Sequence, residues 1–357
     1  MNTRIAAALA AACTVALGAA VPAVAAPDDP LYAEQWGPQQ VRAEQAWSTS
    51  TGSGTIIGVV DSGVDFDHPD LAGKLLQGAT FLDCGSTSCG NGDWESGPAE
   101  RQAVKSTHGT HVSGIAAAAT GNGVGIAGVA PGARILPVKT LDEDGGSFED
   151  IASGIRYAVD HGASVVNLSL GALPGAQALT LTGVISDVQE AIAYARERGV
   201  VVVAAAGNDF VAPLCGTPAF DRGALCVVST DKREARSAFS NFALNQELDA
   251  VAAPGGSLAP VCGEDVLSTV PLGTGTATAC GYGTDYDEYA GTSMATPHVA
   301  GVAALLAAQG RTDENIMTAL ETTARQPGTG QRGVFDPVYG YGIVDAEAAV
   351  AAPGGGA

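Results

Sequence analysis

Positive charge is scarce in this chain. Its 357 residues include only 17 lysines and arginines against 38 aspartates and glutamates, a formal net charge of −21. A surface of that sign repels phosphate backbones and anionic lipid, which excludes nucleic acid and the membrane surface as partners. The acidity reads as a solubilising coat suited to an external or salty setting. Charged residues together reach only 15% while apolar residues make up 46%, a composition that collapses into a core rather than staying disordered. An internal repeat and a Pro/Ser-rich linker are also missing. One domain is therefore expected over residues 26–350, with a flexible Gly-rich tail at 351–357. Beyond residue 25 no apolar run approaches the roughly 18 residues needed to cross a bilayer. No cysteine–histidine group has zinc-site spacing.

The start of the chain is different. Arg4 precedes an apolar stretch from Ile5 to Val21, followed by Ala23, Val24 and Ala25. A charged start, an apolar middle and a small-x-small end make residues 1–25 a secretory signal peptide cleaved near Ala25. Pro22 and the alanine run make a poor membrane anchor. The mature chain is expected outside the cell, with a net charge of −22 once Arg4 is gone. Export favours disulfides, and six cysteines remain after Cys13 is removed. Six permit 15 pairings, but their grouping into local couples favours Cys84 with Cys89, Cys215 with Cys226 and Cys262 with Cys280.

From Thr55 onward, β-rich apolar runs alternate with helical stretches. That grammar predicts a three-layer α/β/α fold, a mostly parallel twisted sheet with helices on both faces. The strand candidates are Thr55–Asp61, Ala133–Lys139, Ser164–Leu170, Val200–Ala206, Leu225–Ser229 and Asp249–Ala253. Ser147 and Asp150 form a capping box ahead of one helix and Gly162 ends it; Ser186 and Gly199 bracket the next. The stretch from Gly85 to Lys105 is the least patterned and reads as a surface loop with a short disulfide at its base.

Four residues stand where chemistry is expected. Asp61 closes the strand IIGVVD, and the carboxyl ends of parallel strands are where reacting groups gather. An aspartate there is more often a turn or a cap, so alone it decides nothing. His108 opens HGTHVSGIAAA, in which Gly109 lets backbone approach closely, and a histidine at the mouth of a helix is a fair general base. Ser293 lies in GTSMATPHVAGVAALLA, at the amino end of a buried helix. Most serines there are plain caps, but Gly291 permits a tight approach, the helix end offers unpaired N–H groups, and Pro297 is placed in the first turn. An oxyanion beside Ser293 would meet a ready donor and a favourable dipole. Asn208 ends the buried run VVVAAAGN at another carboxyl edge and can donate a second hydrogen bond.

The order Asp61, His108, Asn208, Ser293, with the motifs VVDSGVDFDHPDL, HGTHVSG, NLSLG, AAAGN and GTSMATPHVAG, resembles the subtilisin-like serine proteases, the subtilase family, peptidase S8. The resemblance runs from about Asp29 to about Val350. It implies an endopeptidase with Ser293 as nucleophile, His108 rather than His111 as general base, Asp61 orienting His108, and Asn208 with the Ser293 N–H as oxyanion hole. It also implies a polypeptide substrate bound as an extended strand between Ser169, Leu170 and Gly171 on one side and Gly145 and Gly146 on the other. The specificity pocket would be walled by Leu170, Gly171, Ala205, Ala206 and Gly207 and floored near Gly216, with room for a large apolar side chain. Asp209 could favour a basic one, but is read as a solvated turn. The resemblance further implies a structural calcium ion held by Asp29, Asp70, Asn122 and carbonyls of Thr120, Val124 and Ile126, an oxygen set suited to a hard cation. No organic cofactor and a monomer are expected.

Family-like sequence begins almost at the leader's end, so folding is expected without a propeptide, helped by disulfides and calcium or by a partner in trans. A narrow processing protease is the alternative within the same class. A catalytically dead peptide-binding relative is the alternative from another class, disfavoured because all four catalytic positions carry the required residue types.

Overall fold

The computed structural model describes residues 26–85, 87–101, 104–171, 186–210 and 214–354. The leader read over 1–25 and the last residues of the tail lie outside the described residues. Seven strands form the central sheet: β1 Ile56–Asp61, β2 Ala79–Thr80, β3 Arg134–Lys139, β4 Val165–Leu168, β5 Val201–Ala205, β6 Ala224–Thr230 and β7 Ala250–Pro254. They lie in the order β2-β3-β1-β4-β5-β6-β7, and every pairing is parallel. Parallel strands need long crossovers, and helices covering both faces leave the strands no solvated side. That is why the strands appear in sequence as continuous apolar runs; all five residues of β5 are buried.

Alternate residues of each strand feed two cores. On one face Ile57, Val59, Val165, Val203 and Val227 pack with the His108–Ala117, Thr292–Ala307 and Asp313–Thr323 helices. On the other, Val60, Val138, Leu168, Val202 and Ala204 meet the Phe148–Asp160 and Ser186–Arg196 helices. Contact on that second face is close at Gly58, where a Cβ would come 2.7 Å from the Ala158 Cβ. The Ser147 hydroxyl accepts the Asp150 N–H at 3.0 Å, and Gly162 ends the helix with a φ of +83°, a conformation glycine adopts without penalty.

Three strands were not anticipated: the short β2, and an antiparallel pair, β8 Val266–Thr269 with β9 Tyr286–Tyr289. Two residues are too few to show periodicity, and YDEY carries no apolar alternation. The disulfides are those expected, Cys84–Cys89, Cys215–Cys226 and Cys262–Cys280, with Cα–Cα distances of 5.5, 6.5 and 5.6 Å. The described part of the unpatterned loop before His108 is held at its middle as well as by the disulfide at its base. Val64 N–H donates to Gly92 O at 3.0 Å, Trp94 N–H to Val64 O at 3.1 Å, and the buried Lys139 ammonium to Trp94 O at 2.6 Å. Sequence periodicity could not reveal this, because the partners are backbone groups and one distant lysine. Among the described residues, no helix is long and apolar enough to cross a membrane.

Candidate active site

The carboxyl ends of β1, β4 and β5, neighbours in the sheet, deliver Asp61, Ser169 and Asn208 to one edge. Asp61 is the last residue of β1 and fully buried. Its Oδ1 accepts the Ser62 N–H at 2.7 Å and lies 2.8 Å from His108 Nδ1. A carboxylate accepts, so the imidazole carries its proton on Nδ1 and presents Nε2 as a base. The Ser62 hydroxyl accepts the Gly109 N–H at 2.9 Å, fixing the first turn of the helix that His108 begins. Gly109 has no room for a side chain: a Cβ would stand 2.2 Å from Gly63 O.

Burial disfavours the charged imidazolium, yet the charge of Asp61 and the hydrogen bond to it outweigh that cost and raise the His108 pKa above the ordinary histidine value. His111, one helical turn on, behaves differently. It is wholly buried, stacks on Tyr289 at 4.3 Å, and lies within 3.0 Å of Val266 O and 3.2 Å of Asp287 O through Nε2. Burial first, then the neighbouring His108, push its pKa down to about 3, so His111 is a packing residue.

Ser293 is the second residue of the Thr292–Ala307 helix. Its hydroxyl donates to Ser169 O at 3.2 Å, while the Ser169 hydroxyl donates to Ser293 O at 2.7 Å. In this arrangement Ser293 Oγ faces β4 and makes no hydrogen bond to His108. Pro297 explains why the Ser293 carbonyl is free. The sequence reading placed Pro297 in the first turn, but the helix begins at Thr292, so the proline is the sixth residue. Its missing N–H would otherwise have bonded the carbonyl four residues back, which is that of Ser293.

The side-chain oxygen of Asn208 accepts two bonds from Thr292, from N–H at 2.9 Å and from Oγ1–H at 3.0 Å. With the oxygen committed, the amide N–H₂ points the other way. Thr292 itself is anchored, accepting the Gly207 N–H at 3.1 Å. Sequence reasoning passed over Thr292 although it sits inside the GTS motif. Gly291 needs a correction too: its φ of 162° is ordinary extended backbone, and a Cβ there would meet nothing closer than 3.5 Å. The absence of that Cβ matters for what it leaves open. The position a Cβ would take is 3.5 Å from Asn208 Nδ2 and 3.6 Å from Ser293 N, so two N–H donors flank one small space.

Beside this edge lies a cavity of about 140 Å³ lined by Leu170, Gly171, Ala205, Gly207 and Gly216, with Asn208, Asp209, Thr292 and Ser293. Ala206 was expected among its walls and is not. Ala206, one residue past the end of β5, continues the strand's alternation and turns into the opposite core with Val202 and Ala204, and its carbonyl accepts the Gly216 N–H at 2.7 Å. Ser169 is buried, while Gly145 and Gly146 lie in a turn at the surface closed by Asp142.

The residues singled out for calcium also converge. Asp29 carboxylate oxygens accept the N–H groups of Gly121 and Asn122 at 2.8 and 3.1 Å; Asp70 accepts the Asn122 side-chain N–H at 3.0 Å and the Ile126 N–H at 2.8 Å. Thr120 and Val124 lie in the same loop. Burial pushes Asp70 up to about 6, the hydrogen bonds from Ile126 and Asn122 oppose it, and the nearby charge of Asp29 adds to it. Two neighbouring carboxylates, neither in an ion pair among the described residues, suit a hard cation. Among the described residues no group of three or more His, Cys, Asp or Glu side chains converges as a metal site.

The chain matches the subtilase family model over residues 52–342. It is 44% identical over 323 residues to thermitase of Thermoactinomyces vulgaris, which spans 89% of this chain and 99% of that protein. It is 37% identical over 358 residues to an extracellular protease of Xanthomonas campestris, covering 91% of this chain and 57% of the relative. The solved structure of a protease from Pseudoalteromonas arctica superposes with a TM-score of 0.75 at 34% identity, covering 92% of this chain and 99% of that one. Fold, family model and relatives agree, and the chain belongs to the subtilase family of serine endopeptidases.

Proposed function

We propose that the protein is a secreted endopeptidase that cleaves extended polypeptides through an acyl-enzyme on Ser293. The observation that carries this reading is the 2.8 Å contact of His108 Nδ1 with the buried Asp61 carboxylate at the strand edge that also holds Ser293 and Asn208. Rotation of the Ser293 hydroxyl away from Ser169 O would bring it toward His108, which takes the proton as the oxygen attacks the peptide carbonyl. Asp61 keeps the imidazole in the required tautomer and stabilises the imidazolium. The new oxyanion enters the gap left by Gly291 and receives hydrogen bonds from Asn208 Nδ2 and the Ser293 N–H. His108 then returns the proton to the leaving amine, and water repeats the sequence to release the acyl group.

Substrate would lie between the Ser169–Gly171 segment and the Gly145–Gly146 turn, with the side chain before the cleaved bond in the adjoining cavity. Asp29, Asp70, Asn122 and carbonyls of Thr120, Val124 and Ile126 would hold calcium, which neutralises the two carboxylates and fastens the N-terminal segment to the loop. Secretion is supported by the leader pattern and by the extracellular relative. The domain is read as 26–350 and as a monomer. A fluorophosphonate tests the reading: covalent label mapping to Ser293, with loss of casein hydrolysis in Ser293→Ala, is expected. Folded protein that neither labels nor hydrolyses would be the peptide-binding relative instead.

A further inference from the structure

We infer that Asp209 selects substrates with arginine or lysine immediately before the cleaved bond, an assignment that rests on Ser293 being the nucleophile. From sequence, Asp209 was a solvated turn residue. Instead it is half-buried and lines the same cavity as Ser293 and Asn208. Its position is fixed from inside the protein. The wholly buried Asn241 donates from Nδ2 to Asp209 Oδ2 at 2.8 Å and accepts the Asp209 N–H through Oδ1 at 3.0 Å. Asn241 is held in turn, its Nδ2 reaching Ala206 O at 2.9 Å and its own N–H donating to Gly207 O at 3.0 Å. Gly207, with a φ of +104°, makes this possible, because a Cβ there would come within 2.5 Å of Asn241 Nδ2.

A carboxylate so held stays at the cavity wall. Its Oδ1 accepts no hydrogen bond from the described residues, and no described lysine or arginine forms an ion pair with it. The cavity thus presents one uncompensated negative charge. The side chain that satisfies both ends is long and cationic, its methylene stem against Leu170 and Ala205 and its head at Asp209. The exposed acidic turn near Gly145 adds little by comparison, because Arg101 already lies 3.3 Å from Asp142 and 3.6 Å from Asp144. The overall charge of −21 draws in cationic peptides without choosing the bond.

Three peptides, identical except for arginine, citrulline or phenylalanine before the cleaved bond, test this on the full mature enzyme. Citrulline copies the shape of arginine and lacks its charge. Wild type should favour arginine over citrulline about tenfold or more in kcat/KM, the scale of one charge-assisted hydrogen bond. In Asp209→Asn that ratio should fall toward one, with fluorophosphonate titration counting folded sites so that misfolding cannot mimic the loss. High salt should shrink the wild-type ratio. Equal cleavage of arginine and citrulline by wild type, or a ratio that survives Asp209→Asn, would overturn the assignment while leaving the nucleophile intact. Failure to label Ser293 and to cleave any of the three would overturn both.

Discussion

Replacing Gly291 with alanine should abolish most turnover without weakening the fold. The methyl carbon would sit 3.5 Å from Asn208 Nδ2 and 3.6 Å from Ser293 N. An oxyanion needs to approach both nitrogens to within about 2.7–3.1 Å, so carbon and oxygen cannot share that space. Removal of one such donor costs about 10²- to 10³-fold in turnover, or about 2.7–4 kcal/mol of transition-state stabilisation, a range taken from a subtilisin side-chain donor. Because the methyl obstructs both donors, the loss should lie at or beyond the upper end. Stability should move the other way. The backbone φ of 162° suits alanine, no neighbour is crowded, and removing glycine's freedom from the unfolded chain stabilises by about 0.4–1 kcal/mol. The assay is kcat/KM on a chromogenic peptide, normalised to sites titrated with a fluorophosphonate, beside a thermal melt. A variant within threefold of wild type would show that the oxyanion does not form between these two donors.

Asp61→Asn should slow hydrolysis severely at neutral pH, by about 10⁴-fold if the change of tautomer acts as in other triads. His108 must be neutral to act as base, and only Asp61 lifts its pKa against burial. The rising limb of kcat/KM should therefore shift to lower pH in that variant; an unmoved limb would dissociate the pair. Glu321 and Asp249 share a hydrogen bond, and burial first, then the Asp249 charge, raise the Glu321 pKa. A raised carboxyl contributes stability below its unfolded pKa and loses that contribution as pH climbs through its folded one. Glu321→Gln should flatten the fall in Tm between about pH 4.5 and pH 8 and melt higher than wild type at the alkaline end. A parallel pair of curves would show that the shared proton does not matter. Removal of calcium with chelator should lower Tm, by the equivalent of about 2.7 kcal/mol if the ion had been present at a hundredfold excess over its Kd. An unchanged melt would remove the metal from the proposal.

Much of this was legible from residue order. The buried strands announced themselves because both faces are covered, so most of their positions are apolar. The local cysteine couples announced their pairing, since short separations leave few partners within reach. Asp61, His108, Asn208 and Ser293 sit in motifs whose glycines and helix starts are local features. What failed locally was phase: the helix carrying Ser293 begins at Thr292, which moves Pro297 out of its first turn, and alternation continued one residue past β5 turns Ala206 into the core.

The linear chain alone determined a parallel α/β scaffold and the chemical kinds of group available at its carboxyl edge, because periodicity, capping and strand ends are short-range properties. Only the folded chain decided how those groups are held. Thr292 commits the oxygen of Asn208, Ser169 takes the carbonyl freed by Pro297, Lys139 fixes the loop before His108, and Asn241 pins Asp209 inside a cavity. Each of those contacts joins residues dozens of positions apart, and a hydrogen bond of 3 Å tolerances leaves no trace in local sequence pattern.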